Sequence, residues 1–219
     1  KGPVANSEYM ALNGDKKNKF LLIRSEYEIF PDYALEEISE ERMISEEDMK
    51  DYPPSRIEIV LGAKGHLFVV LPTQVETNLP FACNAPFIQD PARLKIKDPE
   101  TSPTNHWLLK RAARLAAETF LKWVSNKKLP DDERANAYDA FPDVMPDGNT
   151  IEDSCEIVAT QHFIDFLKDE KTLLFKNIIL TKEGELKNCG ECTVVPEVIF
   201  EVWPNIAWYK YDESSRNVF

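Results

Sequence analysis

Two apolar runs, Arg56-Ile-Glu-Ile-Val-Leu61 and His66-Leu-Phe-Val-Val-Leu71, flank the connector Gly62-Ala-Lys-Gly65. Both runs are rich in β-branched and aromatic residues, and glycine at each end of a short connector is turn chemistry, so the stretch reads as a β-hairpin. The second run is apolar on consecutive positions, the pattern of a central strand covered on both faces, and Pro72 is expected to end it. Upstream, Lys19-Phe-Leu-Leu-Ile-Arg-Ser25 is a further short strand after a polar start. Downstream, a loop with Asn78 and Pro80 leads to Phe81-Ala-Cys-Asn-Ala-Pro-Phe-Ile88, another strand whose Pro86 belongs at an edge or bulge.

The strongest helix pattern follows these strands. Ser102-Pro103 supplies an N-cap and a proline for the first helical position, and Trp107, Leu108, Leu115, Ala116, Phe120 and Trp123 then recur at helical spacing. Lys110, Arg111, Arg114, Glu118 and Lys122 fill much of the rest. Burying two Trp and a Phe from this face stabilises the fold by several kcal/mol, at about 25 cal/mol per Å² of apolar area.

Lys127 to Pro130 marks a boundary, which divides the chain into residues 1–128 and a smaller α+β module over 129–219. In the latter, Asp139 to Asn149 is loop-like, Ile151 to Lys168 is helical with Ile157, Val158, Phe163, Ile164 and Leu167 toward a core, and Asn177 to Leu186 forms a hairpin around Glu183-Gly184. A final apolar stretch, Val194 to Trp203, has no assigned type.

Composition limits the function classes. The chain has 219 residues, 43% hydrophobic and 29% charged, which excludes a disordered polymer, and at a typical size of roughly 150 residues per domain it allows one large domain or two small ones. It has no run of the ~18 apolar residues that a membrane span needs and no signal-peptide layout at its start, so no membrane partner and a cytoplasmic location are expected. Four cysteines are too sparse for a disulfide framework. The opening on Lys1 rather than Met suggests a piece of a longer polypeptide. With seven glycines, neither a G-x-G-x-x-G fingerprint nor a phosphate-binding P-loop can be drawn.

Charge is unevenly placed. Residues 26–51 carry eleven acids against two bases, either a solvated helical surface or a face for a basic partner. Residues 91–128 reverse this, with nine bases against three acids. Within them Arg93-Leu-Lys-Ile-Lys97 alternates cation and aliphatic, so an extended segment puts Arg93, Lys95 and Lys97 on one face and Leu94 and Ile96 on the other. That stripe suits a phosphate, and it also suits an edge strand protected by lysines. A second basic surface, Lys110, Arg111, Arg114 and Lys122, is a candidate nucleic-acid contact, although a net charge of −12 opposes extended non-specific binding.

Metal and hydrolase signals are thin. Cys189-Gly-Glu-Cys192 has the spacing of half a zinc site, with only Cys155 and His162 nearby to complete it, and reduced thiols are the simpler reading. The nuclease pattern P-D…E-x-K can be drawn through Pro142-Asp143, Glu185 and Lys187, but D/E-x-K also occurs at Asp15–Lys17, Asp48–Lys50 and Asp169–Lys171. The histidines, His66, His106 and His162, lack zinc-protease spacing, and no metal ligand is assigned.

Taken in order, Phe20-Leu-Leu-Ile-Arg-Ser25, His66-Leu-Phe-Val-Val-Leu-Pro-Thr73, Leu79-Pro-Phe-Ala-Cys-Asn-Ala-Pro-Phe-Ile88, Pro91-Ala-Arg93 and Asn105-His-Trp-Leu-Leu109 resemble a recognisable block. It is similar to the middle, or transducer, region that follows the ATP-binding domain in bacterial GHKL-type ATPases related to sacsin and to the ninety-kilodalton heat-shock chaperone. Ile179-Leu-Thr-Lys-Glu-Gly184 and Val195-Pro-Glu-Val198 resemble the continuation in the sacsin-like branch. The resemblance implies an α+β fold, an α/β sandwich with a β-α-β middle domain like ribosomal protein S5 domain 2. It implies a non-catalytic relay that senses ATP held by the preceding domain, with Arg93 as the phosphate-sensing cation and Lys95 and Lys97 beside it. ATP and magnesium then belong to the parent polypeptide, whose own N-terminal ATP-binding domain is the partner, with a homodimer also admitted. The residues that hold magnesium-ATP in those ATPases are missing from this chain, so no turnover is expected from it alone. Bacterial proteins of this type are associated with anti-phage defence.

Overall fold

The computed structural model describes residues 1–11, 19–63, 65–142, 146–168, 176–188 and 191, and in it the two opening runs do not pair with each other; the second is not a single covered strand, because it breaks at Val70 and leaves Val70 and Leu71 exposed. Six strands form one sheet: β1 (Ser7–Ala11), β2 (Lys19–Arg24), β3 (Glu58–Leu61), β4 (Gly65–Val69), β5 (Leu71–Thr77) and β6 (Phe81–Asn84). Their order is β1-β2-β3-β6-β4-β5. The expected β3–β4 hairpin is therefore corrected, because β6 lies between them, antiparallel to β3 with Leu61 opposite Phe81, and parallel to β4 with Leu67 opposite Cys83. Phe81, Ala82 and Cys83 are consecutive and all buried, which requires a central slot.

The hairpin that does form joins β4 to β5 around Val70, whose φ is +65°. Pro72, expected to terminate the run, sits inside β5. It is tolerated because β5 is an edge strand, where a missing N–H need not interrupt a ladder. Thr73, Val75 and Thr77 point inward and Gln74 and Glu76 outward, the clean alternation of an edge strand with one wet face. The Phe81–Ile88 strand is likewise shortened: Asn84 is its last residue, and Pro86 follows within the Ala85–Phe87 turn, where Phe87 N–H donates to the Ala85 carbonyl.

Helices α1 (Asp32–Arg42) and α2 (Glu46–Met49) occupy the acidic segment. Ala34 and Ile38 of α1 face the core. Helix α3 (Pro103–Val124) begins as the sequence implies, with the Ser102 side chain accepting from Asn105 N–H and Pro103 in the first turn. Four alanines, Ala112, Ala113, Ala116 and Ala117, are fully buried along it, and small side chains let neighbouring elements approach closely. It contacts β3, α1 and α5 (Ile151–Leu167), together with a 3-10 turn at Asn136–Ala140 that follows α4 (Asp131–Ala135). A capping box between Thr150 and Asp153 starts α5. Strands β7 (Ile179–Leu180) and β8 (Leu186–Lys187) form the anticipated second hairpin, turning at Gly184 with φ +74°.

The architecture is α+β. One apolar cluster runs from Leu21 to Leu180, with Ile59, Leu67, Phe81, Leu108, Phe120 and Phe163 at its centre, and residues on both sides of position 128 share it. Among the described residues no helix is long and apolar enough to cross a membrane. Cys189, Cys192, Asp143 and the Val194–Trp203 stretch lie outside the described residues.

Candidate functional site

The Arg93–Lys97 segment is a turn, not a strand, which corrects the shared cationic face. Arg93 has φ +56°, its N–H donates to the Asp90 carbonyl, and only an isolated bridge between Gln89 and Ile96 pairs the two arms. The Asp90 carboxylate accepts from the N–H groups of Leu94 (2.9 Å) and Lys95 (3.1 Å). Gln89 Nε2 donates to the Arg93 carbonyl at 3.1 Å. Folding the segment this way sends Ile96 into the core and leaves Leu94 49% exposed, so only one of the two aliphatics packs as alternation suggests.

The turn is fastened to α3. Asn105, fully buried in the first turn of that helix, accepts from Ile88 N–H (2.8 Å) and donates to the carbonyls of Ile88 (2.8 Å) and Lys97 (2.8 Å). One amide side chain thus closes the base of the loop that carries Arg93 at its tip. The helix N-terminus is itself secured by α1, whose Glu37 carboxylate accepts from Ser102 Oγ (3.1 Å) and Thr104 N–H (2.8 Å) and complements the positive end of the helix dipole.

The three cations have different fates. Lys95 Nζ pairs with Glu152 at 2.7 Å, which helps hold the Glu152 carboxyl below its ordinary range against the opposing effect of burial. Lys97 pairs with Glu41 of α1. The Arg93 guanidinium is exposed and, among the described residues, makes no hydrogen bond or ion pair.

The second basic group does not form a free surface. Lys110 is exposed, but Arg111 is only 8% exposed and lies over the Trp107 ring at 4.6 Å. Its guanidinium donates to Ser55 Oγ (2.6 Å) and to the carbonyls of Ser55 (3.2 Å) and Glu26 (3.2 Å), and it pairs with Glu28 at 2.8 Å. Burial pushes its pKa down, and Glu28 opposes that shift. Arg114 and Lys122 share one carboxylate, Glu118, at 2.9 and 3.2 Å. These three side chains, with Arg24 and residues 4–6, line a cleft of about 430 Å³ beside α3, and Arg93 is not among its walls. Arg24 is held there by Glu8 (2.6 Å) and Glu58 (3.0 Å), so each of the four cations in the cleft already has a carboxylate partner.

Two groupings escaped sequence reasoning. Asn105 is an ordinary polar residue in a helical pattern, and no periodicity signals that its amide spans two loop strands. His106 and His162 are 56 positions apart, yet α3 and α5 bring their Nε2 atoms to 3.4 Å. No sequence signal links them. Cys83 and Cys155 are free, buried thiols, and burial raises both pKa values, that of Cys83 to about 12.

No family model, curated protein or solved structure matches this chain.

Proposed function

We propose that the chain is the transducer-like middle region of a GHKL-type ATPase, with an arrangement like ribosomal protein S5 domain 2, and that Arg93 reports the terminal phosphate of ATP held by a preceding domain of the same polypeptide. The observation that carries this reading is the state of Arg93. It stands at the tip of a turn anchored by Asn105 and Asp90, with its charge uncommitted, while Lys95 and Lys97 are spent in ion pairs. A planar guanidinium held on a rigid turn can meet a phosphate through two parallel N–H···O bonds, and it can do so without first breaking an internal pair. Placed beside a transferring phosphoryl group, such a cation stabilises the charge that develops there, and contact with it makes loop position depend on the nucleotide present. The chain's own part is to present the cation and to pass loop movement through Asn105 into α3, whose buried face spans the core.

The test is ATP turnover by the native polypeptide that contains this chain. Arg93→Ala is expected to lower the rate about tenfold or more, with Arg93→Lys recovering only part of it and the variant retaining its native melting temperature. Turnover unchanged in Arg93→Ala overturns the proposed role.

A further inference from the structure

His106 lies in the second turn of α3 and His162 near the end of α5, and both rings are partly buried where the helices meet. The rings are nearly perpendicular, at 88°, with centroids 5.5 Å apart. Their Nε2 atoms face each other at 3.4 Å, long for an N–H···N hydrogen bond. Two imidazoles that bind one tetrahedral metal through nitrogens about 2.0–2.1 Å from it hold those nitrogens about 3.3 Å apart. The spacing here is thus that of two ligands sharing an ion.

We propose that His106 and His162 form a two-histidine site for a borderline divalent transition ion such as Zn²⁺ or Ni²⁺, bridging α3 and α5. Imidazole nitrogen is a preferred donor for these ions. Among the described residues no third His, Cys, Asp or Glu completes a ligand group, so water fills the remaining positions and the ion exchanges freely. Binding uses both Nε2 lone pairs, so each neutral ring keeps its proton on Nδ1. Of the charged groups facing His162, Lys110 on α3 opposes a cation and Asp165 on α5 favours one. Burial chiefly, with help from Lys110 and His106, keeps His162 below its usual pKa, so near neutral pH the ring is in its unprotonated, ligating form.

The experiment is calorimetric titration of the full chain with Zn²⁺ and Ni²⁺, carrying Cys189→Ser and Cys192→Ser so that thiolates do not compete. One ion per chain is expected. His106→Asn and His162→Asn should each weaken binding about tenfold or more, because each removes half of the protein ligands. Lys110→Glu, at an exposed position where folding is not at stake, should tighten it severalfold by replacing a repelling charge with an attracting one. If the histidine variants bind as the parent does, or the parent shows no saturable binding, the proposal is overturned. Melting curves of each variant separate loss of the site from loss of the fold.

Discussion

Replacing Asn105 with alanine removes three hydrogen bonds at once: one accepted from Ile88 N–H and two donated to the carbonyls of Ile88 and Lys97, each 2.8 Å long. The Ile88 carbonyl keeps a second donor, Lys97 N–H at 2.8 Å, whereas the Ile88 N–H, on a buried residue, loses the acceptor it has. An unmet buried donor costs about 1–3 kcal/mol and each lost bond about 1 kcal/mol, so the substitution should destabilise by about 3–4 kcal/mol. For a chain of this size that corresponds to a fall in Tm of about 10 °C. Urea titration followed by circular dichroism measures the loss directly. Asn105→Asp keeps the acceptor but turns a carboxylate oxygen toward the Ile88 and Lys97 carbonyls in a fully buried site, and should cost at least as much as alanine. On the proposed reading of Arg93, Asn105→Ala in the native polypeptide should also slow ATP turnover with Arg93 intact, because the loop tip loses its anchor. A loss below about 1 kcal/mol would refute the view that this amide holds the turn.

Further expectations follow from other side chains. Arg111→Lys should cost about 2 kcal/mol in urea titrations, since one ammonium cannot serve Ser55, Glu26 and Glu28 together; an unchanged midpoint would contradict the buried fork. His162 has its pKa lowered on folding, so the unfolded chain binds the proton more readily and stability should fall as pH drops below the ordinary histidine value of about 6.5. His162→Gln should flatten that slope between pH 6.5 and 5, and an identical slope would remove this assignment. Alkylation mapped by mass spectrometry should spare Cys83 and Cys155 in the native chain and label both in denaturant, as inaccessible thiols with raised pKa require; native labelling of either would contradict their burial.

Much of the helical frame was legible in the sequence. Ser102-Pro103 and the apolar spacing to Trp123 place α3, and the apolar positions from Ile157 to Leu167 place α5, because capping and periodicity are local properties; the Thr150 cap of α5 is found only in the structure. Strand order was not. Runs 56–61 and 66–71 look like a hairpin by composition and turn, but pairing is settled by which strand must be covered on both faces, and Phe81-Ala-Cys83 took the slot between them. The alternation of Thr73, Val75 and Thr77 was a usable strand signal, masked by Pro72. Arg93 was named from resemblance, and its alternation with Lys95 and Lys97 suggested an extended stripe that the turn replaces. Arg111 was placed on a polar surface because charge and periodicity do not foresee Trp107 beneath the guanidinium and two backbone carbonyls around it.

The central claim is contact between Arg93 and a terminal phosphate. A crystal structure of the native polypeptide with a non-hydrolysable ATP analogue and magnesium tests it most directly. The account predicts Arg93 nitrogens about 2.7–2.9 Å from γ-phosphate oxygens, with Lys95 still paired to Glu152. A bound nucleotide whose γ-phosphate is met by other cations, with Arg93 left in solvent, would contradict it.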